Sequence, residues 1–153
     1  MTVDRAELGD LYQEIILEHS KAPRNFRKPA IVNQEAEGYN PLCGDRCTVY
    51  LDVEDGAIRD IGFQGCGCAI SRASASMMTQ MVKGKSKAEA AELFDRFHNL
   101  VTGRDETAKT EDLGKMAVFA GVSKFPARVK CATLAWHTLQ SALENKHEQV
   151  STE

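Results

Sequence analysis

The first half of the chain changes from helical to strand periodicity. Over residues 7–20, apolar side chains recur at the three- and four-residue spacing of one helical face. Pro23 ends this segment, because the residue before a proline is pushed out of helical space. A possible short strand lies over residues 36–39, and strict apolar–polar alternation over residues 47–53 is typical of a strand with one buried face.

A hairpin joins this strand to the next one. Asp55-Gly56 is a dipeptide typical of a two-residue hairpin turn, and it leads into a second strand over residues 57–64. The apolar positions of this second strand break strict alternation. The pattern therefore predicts a β-bulge or a late start of the strand.

The second half of the chain is helical in pattern. Ser86 and Glu89 form a capping box, Gly84 is a plausible helix stop, and Pro126 suits an early helix position. The predicted helices lie over residues 70–83, 86–103, 111–120 and 126–143. We therefore expect an α+β fold, with a small antiparallel sheet of about three strands packed by about five to six α-helices. The expected organisation is a single domain over residues 1–153, with a frayed tail over 144–153.

Composition narrows the functional classes. A chain of 153 residues with 42% hydrophobic and 27% charged residues is typical of a globular domain. Its formal net charge of -3 gives no basic surface for nucleic acid or an anionic membrane. The sequence contains no apolar run of the roughly 20 residues that span a bilayer. We expect a cytoplasmic protein that binds neither nucleic acid nor membranes.

Three of the five cysteines lie beside sharp backbone features. Cys43 lies in a Pro/Gly turn with Asp45 close by, Cys68 follows a glycine-rich loop before a helix, and Cys131 lies early in the last helix. Three thiolates and one carboxylate make a complete tetrahedral set for zinc. The same groups could hold an iron–sulfur cluster, carry a persulfide, or serve as small buried hydrophobic residues, and spacing alone leaves all of these open.

The remaining cysteines and the histidines favour structural interpretations. Cys47 falls on the apolar face of its strand, which favours a place in the core. Cys66 is interpreted as a tolerated small residue, with a spare thiol or an auxiliary redox partner as the alternatives. The four histidines are scattered and are read as non-ligands, with His19 and His137 the better functional candidates.

Several stretches of the sequence resemble the IscU/NifU-like iron–sulfur cluster assembly family, over residues 8–143. The matching stretches are residues 11–19 with Pro23-Arg24-Asn25, then Asn40-Pro41-Leu42-Cys43-Gly44-Asp45, and then Gly67-Cys68-Ala69-Ile70-Ser71. Residues 121–136 most resemble the SufU branch. In particular, Lys130 stands where the IscU type has a histidine before its last cysteine, and the segment between Cys68 and Cys131 is long, as in SufU.

The resemblance implies a zinc-dependent sulfurtransferase that accepts persulfide sulfur from a pyridoxal-phosphate cysteine desulfurase of the SufS type. It implies that Cys43, Asp45, Cys68 and Cys131 hold zinc, and that Cys43 accepts the sulfur after a desulfurase histidine displaces it from the metal. Arg128 is the candidate for an interface or sulfur-orienting residue. The alternative is a scaffold that assembles an iron–sulfur cluster and passes it to downstream cluster-assembly machinery. A purely structural zinc domain is a third reading.

Overall fold

The computed structural model describes residues 14–41, 44–65, 67–102, 118–119, 121–122, 125–144 and 150–151. The elements in chain order are α1 (14–21), β1 (Gln34–Asn40), β2 (Asp45–Glu54), β3 (Ala57–Gln64), α2 (Ala69–Val82), α3 (Lys87–Thr102), α4 (Pro126–Leu143) and β4 (Val150–Ser151). None of the described helices combines the length and apolar character needed to cross a membrane.

The strands form one sheet in the order β3-β2-β1-β4. Strands β1, β2 and β3 pair antiparallel, whereas β4 pairs parallel with β1. The predicted α+β class with three antiparallel strands is therefore confirmed. Strand β1 is longer than the short strand predicted over residues 36–39, since it begins at Gln34 and ends at Asn40.

The predicted hairpin and bulge are both present between β2 and β3. Asp55 and Gly56 have φ angles of 54° and 77°, the doubly positive conformation of a type I′ turn. The register shifts by one residue after Asp52, which pairs with Asp60 while Val53 pairs with Ile58. The bulge restores the buried positions of β3 to the core face after the turn.

The helix boundaries follow the local signals in the sequence. The Ser86 hydroxyl accepts a hydrogen bond from the Glu89 backbone N–H (3.1 Å), and the Glu89 carboxylate accepts one from the Ser86 N–H (3.3 Å). This is the predicted capping box at the start of α3. Helix α2 is followed by Gly84 at φ 85°, and α4 begins at Pro126.

One expectation about the periphery of the fold needs correction. The described residues contain four helices, so the predicted count of five to six is not supported. The additional helix predicted over residues 111–120 lies outside the described residues, except for residues 118–119. The expected frayed tail contains β4, because Val150 and Ser151 pair with the otherwise open edge of β1.

The core lies between the sheet and the helices. Alternate residues of β2, beginning with Asp45 and continuing through Cys47, Val49 and Leu51, are buried on the face that α4 covers. Helix α2 packs against α4 and β3, and α3 packs against α4. One end of the buried face of β2 is therefore a carboxylate rather than an apolar side chain, and the candidate site forms there.

A glycine allows α4 to approach β1 closely. A Cβ atom added at Gly38 would lie 2.0 Å from Thr138 Oγ1, in α4. We expect Gly38→Ala to lower the free energy of unfolding by about 1–3 kcal/mol, because the Thr138 side chain must shift from its hydrogen bond to the Leu134 carbonyl, or the helix must move, to relieve the overlap. The matched control is Gly121→Ala, where no heavy atom lies within 4 Å of the added carbon. Equal urea midpoints for the two variants would contradict this account of the packing.

Candidate metal centre

Three potential ligands from three separate elements meet at one point. The ligand atoms of Asp45, Cys68 and Cys131 all lie within 4.8 Å of one another. Asp45 is the first residue of β2, Cys68 immediately precedes α2, and Cys131 lies in the second turn of α4. The convergence that the sequence predicted for these three residues is present.

Cys68 is the N-cap residue of α2, and its side chain and backbone are both fixed. The Ser71 backbone N–H donates to Cys68 Sγ (3.5 Å), and the Cys68 N–H donates to Asp45 Oδ1 (2.9 Å). Gly67 permits this approach, since a Cβ there would lie 3.0 Å from Ser71 Oγ and 3.2 Å from Asp45 Oδ1. The close contact between the loop and Asp45 thus explains a glycine before the cysteine.

The local environment favours the ionised form of Cys68. Its pKa is lowered to about 6, chiefly by a hydrogen bond from the Cys131 thiol, with help from the backbone N–H groups of Ser71 and Ile70 at the helix start. Partial burial and the nearby Asp45 charge act in the opposite direction. The lowered pKa favours the thiolate of Cys68, which is the form that binds metals.

The buried carboxylate of Asp45 suits a site that holds a cation. Asp45 is only 1% exposed to solvent. Among the described residues, no lysine or arginine forms an ion pair with it, and its neighbour Arg46 instead lies over the ring of Tyr39 at 5.0 Å. A buried carboxylate beside a thiolate is costly without a compensating charge. The donor set of two thiols and one carboxylate suits a zinc or iron ion.

Cys131 is fully buried and lies next to a polar residue whose role the sequence did not reveal. Asn40, the last residue of β1, is also fully buried, and its Nδ2 lies 3.7 Å from Cys131 Sγ. Asn40 was part of the matching turn motif, but no role was predicted for it. Only the fold brings together two residues that are 91 positions apart in the chain.

The other predicted site residues have different outcomes. Cys43 and Cys66 lie outside the described residues, although Gly44, which follows Cys43, has the positive φ of 71° expected for a tight turn. Cys47 is confirmed as a core residue, and burial, with a smaller effect from Asp45, raises its pKa to about 12. Arg128 is exposed in the first turn of α4.

The metal-ligand cluster found among the described residues contains no histidine. His19 is buried, and its Nδ1 lies 2.8 Å from Ser76 Oγ, which also accepts a hydrogen bond from the Arg24 backbone N–H. These two contacts attach α1, through His19, and the segment after it, through Arg24, to α2. His137 lies edge-on to the ring of Phe94, with centroids 4.9 Å apart. The pKa of His137 is lowered mainly by its burial and to a smaller extent by the nearby charge of His98.

The lowered pKa of Cys68 predicts a distinctive alkylation profile. In the metal-free protein, we expect the rate of Cys68 modification by iodoacetamide to rise as the pH passes through about 6, because the thiolate is the reacting species. Peptide mass mapping assigns the modification to individual cysteines. Cys47 is the internal control and should remain unmodified. A midpoint for Cys68 near the ordinary thiol value of about 8.5 would contradict the proposed stabilisation.

Comparison with known proteins finds relatives named for iron–sulfur cluster assembly and for sulfur transfer. The chain is 42% identical over 139 residues to the iron–sulfur cluster assembly scaffold protein IscU of Streptococcus pyogenes, covering 91% of this chain and 86% of that protein. It is 41% identical over 140 residues to the zinc-dependent sulfurtransferase SufU of Bacillus subtilis, covering 90% and 92%.

A solved structure supports the same relationship. The fold matches a SUF-system iron–sulfur cluster assembly scaffold protein from Fervidobacterium islandicum with a TM-score of 0.79 and 37% identity, covering 85% of this chain and 94% of that one. The model of the NifU-like N-terminal domain matches residues 11–132, which include Asp45, Cys68 and Cys131. The chain therefore belongs to the NifU-like N-terminal domain family.

Proposed function

We propose that this protein works in iron–sulfur cluster assembly as a zinc-dependent sulfurtransferase, accepting persulfide sulfur from a pyridoxal-phosphate cysteine desulfurase. The observation that carries the proposal is the cluster of Asp45, Cys68 and Cys131, with ligand atoms within 4.8 Å of one another. These three donors leave one position of a tetrahedral zinc site for a fourth ligand. Cys43 is the proposed fourth ligand, since it is bonded to Gly44 and lies two residues from Asp45 in the sequence.

Lys130 favours zinc-gated transfer over the IscU type of activity. The relatives named as a scaffold and as a sulfurtransferase are 42% and 41% identical to this chain, so overall similarity does not separate the two activities. The residue before Cys131 is a lysine, whose ammonium group has no lone pair to offer a metal. The ligand set is then limited to three cysteines and Asp45.

In the proposed reaction, Cys43 alternates between metal ligand and nucleophile. Cys43, Asp45, Cys68 and Cys131 would hold the zinc, which would keep the three thiols ionised. Cys43 would become free to react once a histidine of the desulfurase took its place as a ligand. The freed Cys43 thiolate attacks the terminal sulfur of the desulfurase persulfide, so that a new S–S bond forms as the old one breaks. The electron pair leaves with the desulfurase cysteine as a thiolate, and the transferred sulfur keeps its proton. The exchange needs no oxidant or reductant.

Asp45, Cys68 and Cys131 would hold the metal while Cys43 reacts. Asp45 and Cys131 are buried in the sheet–helix core, and Cys68 is fixed by backbone hydrogen bonds at the start of α2. Arg128, exposed and with no ion-pair partner among the described residues, is the proposed contact for the desulfurase or for the incoming persulfide.

The test is the turnover of a cysteine desulfurase of the SufS type with the zinc-loaded or the chelator-stripped protein. The proposal predicts that only the zinc-loaded form accelerates cysteine desulfuration, because without zinc the Cys43 thiol is not kept in its reactive thiolate form. Equal acceleration by the two forms would contradict a zinc-dependent activity. Circular dichroism of the stripped protein checks that it remains folded.

The second candidate is a scaffold on which an iron–sulfur cluster is built and then passed to downstream assembly proteins. The scaffold names of the Streptococcus and Fervidobacterium relatives favour it, as does a cysteine-rich donor set that also suits iron. Anaerobic reconstitution with iron and sulfide tests it directly. A cluster that forms and moves to an apo-ferredoxin would support the scaffold, and zinc that iron cannot displace would count against it.

A further inference from the structure

Asn40 connects the proposed Cys43 turn to the buried cysteine of α4. Its backbone carbonyl accepts a hydrogen bond from the Gly44 N–H (2.8 Å), which closes the turn between β1 and β2. Its side-chain amide reaches in another direction, with Nδ2 3.7 Å from Cys131 Sγ. One residue therefore contacts both Gly44, which follows Cys43 in the sequence, and the sulfur of Cys131.

The strand register explains how Asn40 reaches this position. Asn40 pairs with Asp45 across β1 and β2, so the two side chains lie on the same face of the sheet. Asp45 contributes a carboxylate to the ligand cluster, and Asn40 contributes a hydrogen-bond donor beside it. Both residues are buried, with relative exposures of 1% and 0%. The amide is thus shielded from water, and its interaction with sulfur is not weakened by solvent.

We propose that Asn40 is a positioning residue that donates a hydrogen bond to the metal-bound thiolate of Cys131 and makes it a permanent ligand. This inference rests on the proposed zinc-dependent function. A neutral N–H donor stabilises a thiolate by drawing electron density from sulfur without adding a cation. A sulfur stabilised in this way is a poorer nucleophile. The donor on Cys131 therefore directs sulfur acceptance to Cys43.

The test replaces the donor while keeping the side-chain shape. Asn40→Leu keeps the branching at Cγ and removes the amide. The matched control is Gln34→Met, at the other end of β1, where the Gln34 amide donates to the backbone carbonyl of Ala142 in α4 (3.0 Å) but not to a sulfur. Both variants lose an amide contact between the same strand and the same helix, but only Asn40→Leu loses a donor to Cys131.

The measurements are the absorption spectrum of the cobalt-substituted protein and the zinc dissociation constant from competition with a chromophoric chelator. Losing the hydrogen bond raises the energy of the sulfur lone pairs, so the thiolate-to-cobalt charge-transfer band of Asn40→Leu should move to longer wavelength. Zinc affinity should fall by about 10- to 100-fold, the usual effect of removing a residue that orients a metal ligand. Gln34→Met should match the unmodified protein in both respects.

The outcomes distinguish a failure of the Asn40 proposal from a failure of the proposed zinc-dependent function. If the unmodified protein shows thiolate–cobalt bands but the folded Asn40→Leu variant keeps the same band and zinc affinity, the role of Asn40 is wrong and the zinc site stands. If the unmodified protein shows no such bands, the proposed zinc function itself fails. Should Asn40→Leu not fold, Asn40→Ala removes the same donor and is judged by the same criteria.

Discussion

The Cys43→Ser variant is expected to lose sulfur acceptance by roughly a thousand-fold or more. A serine hydroxyl is not ionised at neutral pH and forms no persulfide, so the variant removes the proposed nucleophile with little change in volume. Asp45, Cys68 and Cys131 remain in place, and the variant should stay folded. The measurement is transfer of radiolabelled sulfur from a desulfurase loaded with labelled cysteine.

The control for this prediction is Cys47→Ala. Cys47 is the closest described cysteine to Cys43 in sequence, but it is buried in the core and is not part of the ligand cluster. Its replacement should reduce stability modestly and leave transfer unchanged. Normal transfer by Cys43→Ser, or loss of transfer in a folded Cys47→Ala variant, would assign the reaction to a different thiol.

The second large effect concerns metal-linked stability. Zinc that binds only the folded state stabilises it, by about 4 kcal/mol when its free concentration is a thousand times the dissociation constant. We expect Cys131→Ala to abolish this increment, because the variant removes a fully buried ligand that the fold holds beside Asp45 and Cys68. The measurement is the difference in unfolding free energy between zinc-loaded and chelator-treated protein.

Cys47→Ala is again the matched control, because it also replaces a buried cysteine in the core. Both variants lose a similar amount of packing, so their stabilities without metal should both decrease. Only Cys131→Ala should become insensitive to zinc. A zinc increment in Cys131→Ala as large as in the unmodified protein would exclude Cys131 from the metal site.

Local signals in the sequence predicted the parts of the fold that depend on neighbouring residues. The Asp55-Gly56 turn, the bulge that follows it and the capping box at Ser86 are each determined within a few residues, and all three are present. The position of Cys68 at the start of α2 was predictable for the same reason, because a glycine-rich loop before an apolar helical pattern indicates a helix N-terminus.

Features that depend on distant contacts were not predictable from pattern. The buried positions of β1 are Ala36, Gly38 and Asn40, which are small or polar, so the strand shows little hydrophobic alternation. Gly38 is buried because Thr138 of α4 packs against it, and Asn40 because it reaches Cys131. Strand β4 has only two residues, too few for any periodicity, and forms through pairing with the edge of β1.

The candidate site also combines residues that could be predicted from the sequence with contacts that only the fold creates. The identities of Asp45, Cys68 and Cys131 were predictable from their turn, loop and helix contexts and from the family resemblance. The approach of their ligand atoms to within 4.8 Å of one another required the fold, since Asp45 and Cys131 are 86 positions apart in the sequence. The buried amide of Asn40 had no signal of its own, because an asparagine beside a proline reads simply as part of a turn.

The most direct test of the account is to locate the transferred sulfur. The zinc-loaded protein is incubated with a SufS-type desulfurase and cysteine, its thiols are blocked, and peptides are mapped for the mass gain of one sulfur atom. The account predicts a persulfide on Cys43 that is absent from Cys47, Cys68 and Cys131 and is strongly reduced after zinc removal. A persulfide mainly on another cysteine, or one formed equally well without zinc, would contradict it.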